Sequence, residues 1–303
     1  MSSSFRAGFV AIVGRPNTGK STLVNALIGK KIVITSAHPN TTRNPIRGIL
    51  SRESFQMVVV DTPGIHKPKT LLGTRLNEMV NQNLESVDAA VLCLPADESI
   101  GAGDEFIAKQ LSHIRNVYLV VTKIDRVAKD QVIAKLAEVS DFITKTQLMV
   151  REVVPISAIE HTQVELLTDL LVNSLPDSHP LYPEDISTDQ AAELTLSELI
   201  REAAIQDVFE EVPHSIVVTI DEMEKRENKD FYDIHATIHV ERDSQKGIIL
   251  GARGSRLKEI GTQSRKNIEI FLGCKVFLGL HVKVSKDWQK DPKSLTKFGF
   301  IQS

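Results

Sequence analysis

The sequence predicts an α/β fold followed by a smaller α+β fold. A doubly wound, mostly parallel domain spans residues 1–176, a linker spans 177–190, and a second domain spans 191–303. Three observations carry this. In the first half, apolar runs of strand length alternate with amphipathic helical patterns, as in a parallel sheet covered on both faces. Between Leu175 and Asp185 stand three prolines with no hydrophobic period, which ends that pattern. Beyond it the order changes to helix, two strands, two helices and a strand.

The first domain opens with the apolar run Phe9–Val13, a buried strand. It continues through Gly14-Arg15-Pro16-Asn17-Thr18-Gly19-Lys20-Ser21 into a helix, Thr22–Ile28, closed by Gly29. The segment has the form GxxxxGK[ST] in the strand–loop–helix setting that a phosphate cradle requires. Its glycines let backbone N–H groups converge on an anion, and the helix N-terminus adds partial positive charge. Lys20 is spaced to reach β- and γ-phosphates, and the Ser21 hydroxyl to ligate Mg²⁺. The polar stretch Lys30–Asn44, with Thr41-Thr42-Arg43, lacks a helical period and reads as a surface loop. Ile46–Leu50 and Gln56–Val60 read as paired strands about a turn at Glu53-Ser54. The second strand ends in Asp61-Thr62-Pro63-Gly64. An Asp at a buried strand tip facing the cradle is suited to hold Mg²⁺ through water, and the Gly64 N–H to meet a γ-phosphate.

A helical stretch, Leu72–Val87, precedes strand Ala89–Leu94. A helix near Glu105–Ser112 then leads to strand Val117–Val121, which delivers Thr122-Lys123-Ile124-Asp125. A carboxylate there accepts from guanine N1–H and the exocyclic amine together; adenine lacks that donor pair, so Asp125 selects GTP over ATP. The aliphatic stem of Lys123 is suited to lie across the base. A helix over Asp130–Phe142 and strand Glu152–Ile156 end in Ser157-Ala158, with the Ala158 N–H placed for guanine O6. Helix Val164–Ser174 closes the domain, and the ligand is expected at the carboxyl ends of the strands.

GRPNTGKS, TTR, DTPG, TKID and SA, in that order, resemble the translation-factor-related small GTPases, and GRPN resembles the subgroup containing Era. The resemblance implies a P-loop GTPase domain that binds GTP or GDP with Mg²⁺. Its nucleotide contacts fall on Gly14–Thr22, Asp61–Ile65, Thr122–Asp125, Ser157 and Ala158. Its Mg²⁺ set is Ser21, Thr42 and Asp61, and its hydrolytic residues are Lys20, Thr42, Gly64 and Asn17. Two positions bear on the mechanism. Thr122 stands where these proteins commonly carry Asn, and its hydroxyl lacks the amide's reach. Ile65 stands where many small GTPases place a water-orienting glutamine. GTPases with that apolar residue and a P-loop Asn, here Asn17, resemble those that recruit K⁺ in place of an arginine finger. The alternative leaves Asn17 as a cap on local backbone. Intrinsic hydrolysis is expected to be slow.

In the second domain, Ala191–Glu210 has a helical apolar stripe, and Ser215–Ile220 and Phe231–Val240 read as strands. Helices over Ser244–Leu250 and Leu257–Leu272 flank Gly251-Ala252-Arg253-Gly254, and strand Val276–Val284 completes the order. Gly-x-x-Gly between paired helices in that order resembles a type II KH domain. Two residues without Cβ let a nucleotide backbone approach closely. Arg253, Arg256 and Lys258 offer charge, and a helix N-terminus points the same way. Such modules clamp about four nucleotides of single-stranded RNA. One GTPase domain followed by one KH domain is the architecture of the Era family. That resemblance implies binding of 16S ribosomal RNA near its 3′ end and a role in small ribosomal subunit assembly. It also implies a monomer in the cytoplasm with peripheral association to the inner face of the membrane.

The formal net charge of −3 hides two opposed segments. Asp177–Asp230 holds 15 acidic against 4 basic residues, and Glu241–Lys297 holds 13 basic against 6 acidic. The second excess suits an anionic polymer. No apolar run approaches the ~20 residues of a membrane span. The N-terminus lacks the apolar core of a signal peptide. Cys93 and Cys274, apart in sequence and in apolar surroundings, read as reduced core residues. Thr122 and Ile65 keep two alternatives open. One is an RNA-binding assembly factor with GTP as a mainly structural ligand, and the other a GTPase acting on tRNA or at the membrane.

Overall fold

A computed structural model of the chain describes residues 5–35, 45–65, 71–206, 208, 212–227 and 229–300. Two compact units divide it, with the boundary between Asp189 and Gln190.

The first unit is built on β1 (Arg6–Val13), α1 (Lys20–Ile28), β2 (Ile46–Arg52), β3 (Phe55–Asp61), α2 (Leu71–Leu84), β4 (Ala89–Pro95), α3 (Ala102–Leu111), β5 (Val117–Thr122), α4 (Lys129–Thr146), β6 (Val150–Pro155) and α5 (Val164–Ser174). Its sheet has the order β2-β3-β1-β4-β5-β6, parallel throughout except for the antiparallel β2–β3 hairpin. Strands β3, β4 and β5 are buried along their whole length, as continuous apolar runs between two helical layers must be. One layer is α1 and α5, where Leu23, Leu27, Leu167 and Leu171 pack on Val10, Ile12, Val59 and Val91. The other is α2, α3 and α4, where Leu84, Ile107, Leu111 and Phe142 pack on Ala11, Val13, Leu92 and Leu119. Chain order reverses at β1, with β3 on one side and β4 on the other, so the loop after β1 lies at the topological switch point.

Two local expectations need correction. Within Lys30–Asn44, Ile32, Val33 and Ile34 are buried, because the Asn25 side chain bonds to the Ile32 and Val33 N–H groups and to the Val33 carbonyl. A side chain supplied by α1 thus folds an apolar tripeptide onto the core; Thr41, Thr42 and Arg43 lie outside the described residues. The other is the three-proline segment, which runs along the sheet margin instead of hanging free. Gln56 holds Leu181 and Tyr182 through their backbone N–H groups, and the Ile49 N–H donates to the Ser187 carbonyl at 2.8 Å.

In the second unit the order is α6 (Ala192–Ile205), α7 (Val212–Ser215), β7 (Val217–Lys225), β8 (Phe231–Val240), α8 (Asp243–Leu250), a 3₁₀ turn over Ala252–Gly254, α9 (Ser255–Leu272), β9 (Lys275–Val284) and α10 (Pro292–Lys297). Its sheet is β7-β8-β9, antiparallel then parallel. Ser215 ends a helical turn, so the first strand starts two residues later than the sequence suggests. Trp288 is buried and donates from Nε1 to the Ser215 carbonyl at 2.8 Å. Both cysteines are free, but Cys274 is only half-buried and is no core residue.

Candidate functional site

Gly14, at the end of β1, begins the cradle. A Cβ there would lie 2.7 Å from Thr18 Oγ1 and 2.9 Å from the Cys93 carbonyl, so glycine is the residue that lets the loop close over β4. Lys20, the first residue of α1, is buried and donates to the Arg15 carbonyl at 2.7 Å. Burial pulls its pKa down, while the Asp61 carboxylate works the other way. Lys20 is thus a desolvated cation held over the loop by one carbonyl. A phosphate oxygen would compete for it strongly at that depth. Burial also drives the Cys93 thiol up to about 12, which leaves it inert.

The metal chemistry fits. Ser21 Oγ donates to Asp61 Oδ2 at 2.9 Å, joining a hydroxyl of α1 to a carboxylate buried at the tip of β3. Hard oxygen donors converging there suit Mg²⁺. Thr62 Oγ1 donates to the Ile12 carbonyl at 2.8 Å, and the Ile65 N–H to the Gly14 carbonyl at 3.3 Å, so Asp61–Ile65 is stitched to β1. Gly64 lies against the cradle, where a Cβ would sit 2.8 Å from Pro16 N. The Ile65 side chain is 1% exposed and packed in the core with Val13, Leu92 and Leu94. Asn17 adopts φ 64°, and Thr22 sits half-buried in the first turn of α1.

At the end of β5, Thr122 Oγ1 donates to the Thr18 carbonyl at 2.6 Å. That hydroxyl ties the end of β5 to the phosphate loop. Ser157 Oγ donates to Asp125 Oδ1 at 2.7 Å and accepts from the Glu160 N–H at 3.1 Å, leaving Asp125 exposed and oriented. The Ile124 N–H reaches the Ile156 carbonyl at 3.4 Å, and Ala158 is half-buried beside them. Every described nucleotide residue expected from sequence gathers at this end of the sheet; Thr42 lies outside the described residues.

Sequence reading missed the loop after β4. Arg15 binds Asp104 at 2.8 Å, Glu98 at 3.4 Å and the Ser99 carbonyl at 3.2 Å, while Lys123 Nζ stands 3.5 Å from Asp97 and 3.6 Å from Glu98. One acidic loop therefore holds both the phosphate loop and the base loop. Asp104 is fully buried, and its other oxygen accepts from the Gly101 N–H at 2.9 Å. The spacing Gly101-x-x-Asp104 at a helix start was the available signal, though it foretells a cap and no partner.

The second unit carries a groove of about 940 Å³ between α9 and β9, lined by Gly254, Lys258, Arg265, Phe231, Phe277 and Leu280 among others. Gly251, Arg253 and Gly254 have φ of 68°, 52° and 79°, a run of left-handed residues that turns α8 into α9. Ala252 and Arg253 are exposed in that turn. The two glycines differ. A Cβ on Gly254 would meet nothing within 4 Å, whereas one on Gly251 would lie 2.7 Å from Arg256 Cβ. Arg256 is tied to the Gln206 carbonyl, and Lys258 faces the groove. The spacing Gly254, Lys258, Gly261 and Arg265 along one face of α9 was the readable signal of this wall.

The model for the 50S ribosome-binding GTPases matches residues 9–123, and the KH domain model matches residues 211–289. GTPase Era of Mycolicibacterium smegmatis is 51% identical over 302 residues, covering 98% of this chain and all of the relative. GTPase Era of Mycobacterium tuberculosis strain H37Rv is 50% identical over 303 residues, with the same coverage. Among solved structures, Era in complex with MgGDPNP and nucleotides 1506–1542 of 16S ribosomal RNA superposes with TM-score 0.93 at 36% identity over 98% of this chain and all of that one. A point variant of Aquifex aeolicus Era bound to GDP·AlF4⁻ gives TM-score 0.91 at the same identity and coverage. Matched over 98% of its length by these relatives, and by a GTPase model and a KH model in that order, the chain belongs to the Era family of GTPases.

Proposed function

We propose that this GTPase uses its cradle to gate binding of the 3′ end of 16S ribosomal RNA in the KH groove during small-subunit assembly. The observation that carries it is the pairing, in one chain, of a desolvated Lys20 beside the Ser21–Asp61 contact with a groove lined by Lys258, Arg265 and the Gly254 turn. In this reading the backbone N–H groups of Gly14–Ser21 and Lys20 Nζ hold the β- and γ-phosphates, and the Gly64 N–H meets the γ-phosphate. Ser21 and Thr42, with Asp61 through water, would hold Mg²⁺, which would supply positive charge to the phosphate oxygens. Asp125 and the Ala158 N–H read guanine, while the Lys123 stem covers its ring. Hydrolysis needs a water activated without help from the residue after DTPG, since an isoleucine neither donates nor accepts. Asn17 would hold a K⁺, which would supply the missing positive charge. The protein acts as a cytoplasmic monomer that touches the inner face of the membrane peripherally; among the described residues no helix is long and apolar enough to cross a membrane.

Multiple-turnover phosphate release, with and without an RNA carrying the 16S 3′ end, tests the coupling: RNA should change the rate several-fold. Turnover that is negligible with and without RNA would favour a structural role for GTP. Replacing K⁺ by Na⁺ at equal ionic strength should slow release, and Asn17→Ala should erase the difference. Equal rates in the two salts would return Asn17 to backbone capping.

A further inference from the structure

Among the described residues two lysines are buried, Lys20 in the cradle and Lys135, 4% exposed, on α4. Lys135 belongs to none of the nucleotide motifs, and an ammonium taken out of water is costly unless its donors are used. Its Nζ donates to the Glu98 carbonyl at 2.5 Å and to Glu138 Oε2 at 2.8 Å. The other Glu138 oxygen accepts from the Ile100 N–H at 2.7 Å. Burial works against the Glu138 carboxylate, but the Lys135 ammonium and the Ile100 N–H outweigh it and hold its pKa below the ordinary value. One turn of α4 thus grips the backbone of the loop after β4 at two points.

The middle of that loop has little else to fix it. Asp97, Glu98 and Ser99 are exposed, so apolar burial does not hold them. Other backbone ties stand at the loop's ends, from the Ala96 N–H to the Thr122 carbonyl at 2.8 Å and from the Gly101 N–H to Asp104 at 2.9 Å. Yet the middle meets two parts of the nucleotide site. Glu98 and the Ser99 carbonyl take Arg15 of the phosphate loop, and Asp97 and Glu98 flank Lys123 Nζ. Ion pairs near the surface contribute little by themselves. These carboxylates therefore place the two cations only as well as the backbone beneath them is fixed. We propose that Lys135 and Glu138 are positioning residues for the guanine nucleotide, fixing segment 97–99 and through it Arg15 and the Lys123 stem that covers the base. This rests on the nucleotide-site reading above.

The test uses the full chain and reads release of a fluorescent GDP, KM and kcat for GTP, and a denaturant titration. Lys135→Met should speed GDP release and raise KM about tenfold, with kcat at saturating GTP within about twofold of the parent. A lower denaturation midpoint with unchanged release and KM would leave Lys135 a brace of α4 and overturn the proposal. Asp97→Asn combined with Glu98→Gln changes exposed residues only, and it decides the matter even where Lys135→Met fails to fold. On charge alone, removing two carboxylates beside the phosphate loop should tighten a triphosphate. Loss of positioning acts with the opposite sign, giving faster release and a higher KM. Tighter or unchanged GTP binding by that variant overturns the proposal. Adding Lys135→Met to it should cost less than about twofold more, since both act through one segment. Full additivity would detach Lys135 from the loop and overturn it too. Asp125→Asn separates the two readings. If it leaves GTP affinity unchanged, the base-site reading falls and the positioning role with it. If it weakens GTP while the loop variants behave as the parent, the positioning role alone falls.

Discussion

The two binding regions are constructed on opposite terms. In the nucleotide site the functional side chains are already bonded, Lys20 to Arg15, Ser21 to Asp61, Thr122 to Thr18 and Asp125 to Ser157, and Lys20, Asp61 and Thr122 are buried. In the RNA region the important residues are exposed, left-handed or lack a side chain. The difference follows from the ligands. A nucleotide is small and discriminated atom by atom, so its partners must be fixed beforehand. An RNA strand is long and charged, so it is met by permissive backbone, rings and loosely held cations. A single-atom change should therefore be severe in the first region and graded in the second.

The sharpest break of that contrast is Asp125→Asn. Replacing an acceptor with an amide removes partners for two guanine donors, and GTP affinity should fall on the order of 10²-fold while XTP affinity rises. Equilibrium titration with both nucleotides checks it, and unchanged GTP affinity would displace the base from Asp125. Next comes Asp104→Ala, which strips Arg15 of its buried partner and the Gly101 N–H of its acceptor. Stability of the first unit should drop by about 2 kcal/mol in a denaturant titration, with a rise in KM for GTP. An unaltered KM in a destabilised protein would reduce Asp104 to a helix cap.

The paired glycines test the graded side. Gly254→Asp puts a carboxylate into open space and should lower RNA affinity by about tenfold with the CD spectrum unchanged, because Asp is among the residues that tolerate its φ best. Gly251→Asp drives a Cβ into Arg256 and should loosen the α8–α9 turn itself. Identical behaviour of the two variants would erase the distinction. The smallest effect concerns His239, whose pKa burial lowers to about 4, helped by Lys297, Lys283 and His281 and opposed by Asp221. The folded state then binds fewer protons than the unfolded one between pH 6.5 and 4. Stability of the second unit is complete above about pH 6.5 and should decline as the pH falls toward 4, by on the order of 1 kcal/mol. His239→Gln should flatten that decline in a urea series.

The sequence was most legible where chemistry requires certain residue types at fixed spacing. Gly14–Ser21, Asp61–Gly64 and Thr122–Asp125 each sit on a strand end that periodicity alone could mark, and the fold brings all three together. Asp104 was illegible because its bond to Arg15 joins positions 89 residues apart, a pairing that only packing decides. Ile32–Ile34 was misread because polar neighbours masked a tripeptide anchored by one asparagine. The Thr122–Thr18 bond was illegible because it joins positions 104 residues apart, which only the packing of β5 beside the phosphate loop decides. Phe277, in the groove wall, gave no signal, since an exposed ring in a strand pattern looks like any alternating position.

The segment sewn along the outer margin of the first sheet has a consequence for solubility. Strand β2 ends the sheet, and an end strand offers unpaired N–H and C=O groups to any passing strand. Here the Ile49 N–H is taken by Ser187, Gly48 bridges Thr188, and Arg47 is clasped by Asp189. The chain thus supplies its own edge guard from residues that look like spacer. A fragment cut after Pro176 would keep the nucleotide motifs intact yet bare that strand, and it would be expected to self-associate where a fragment ending at Asp189 stays monodisperse.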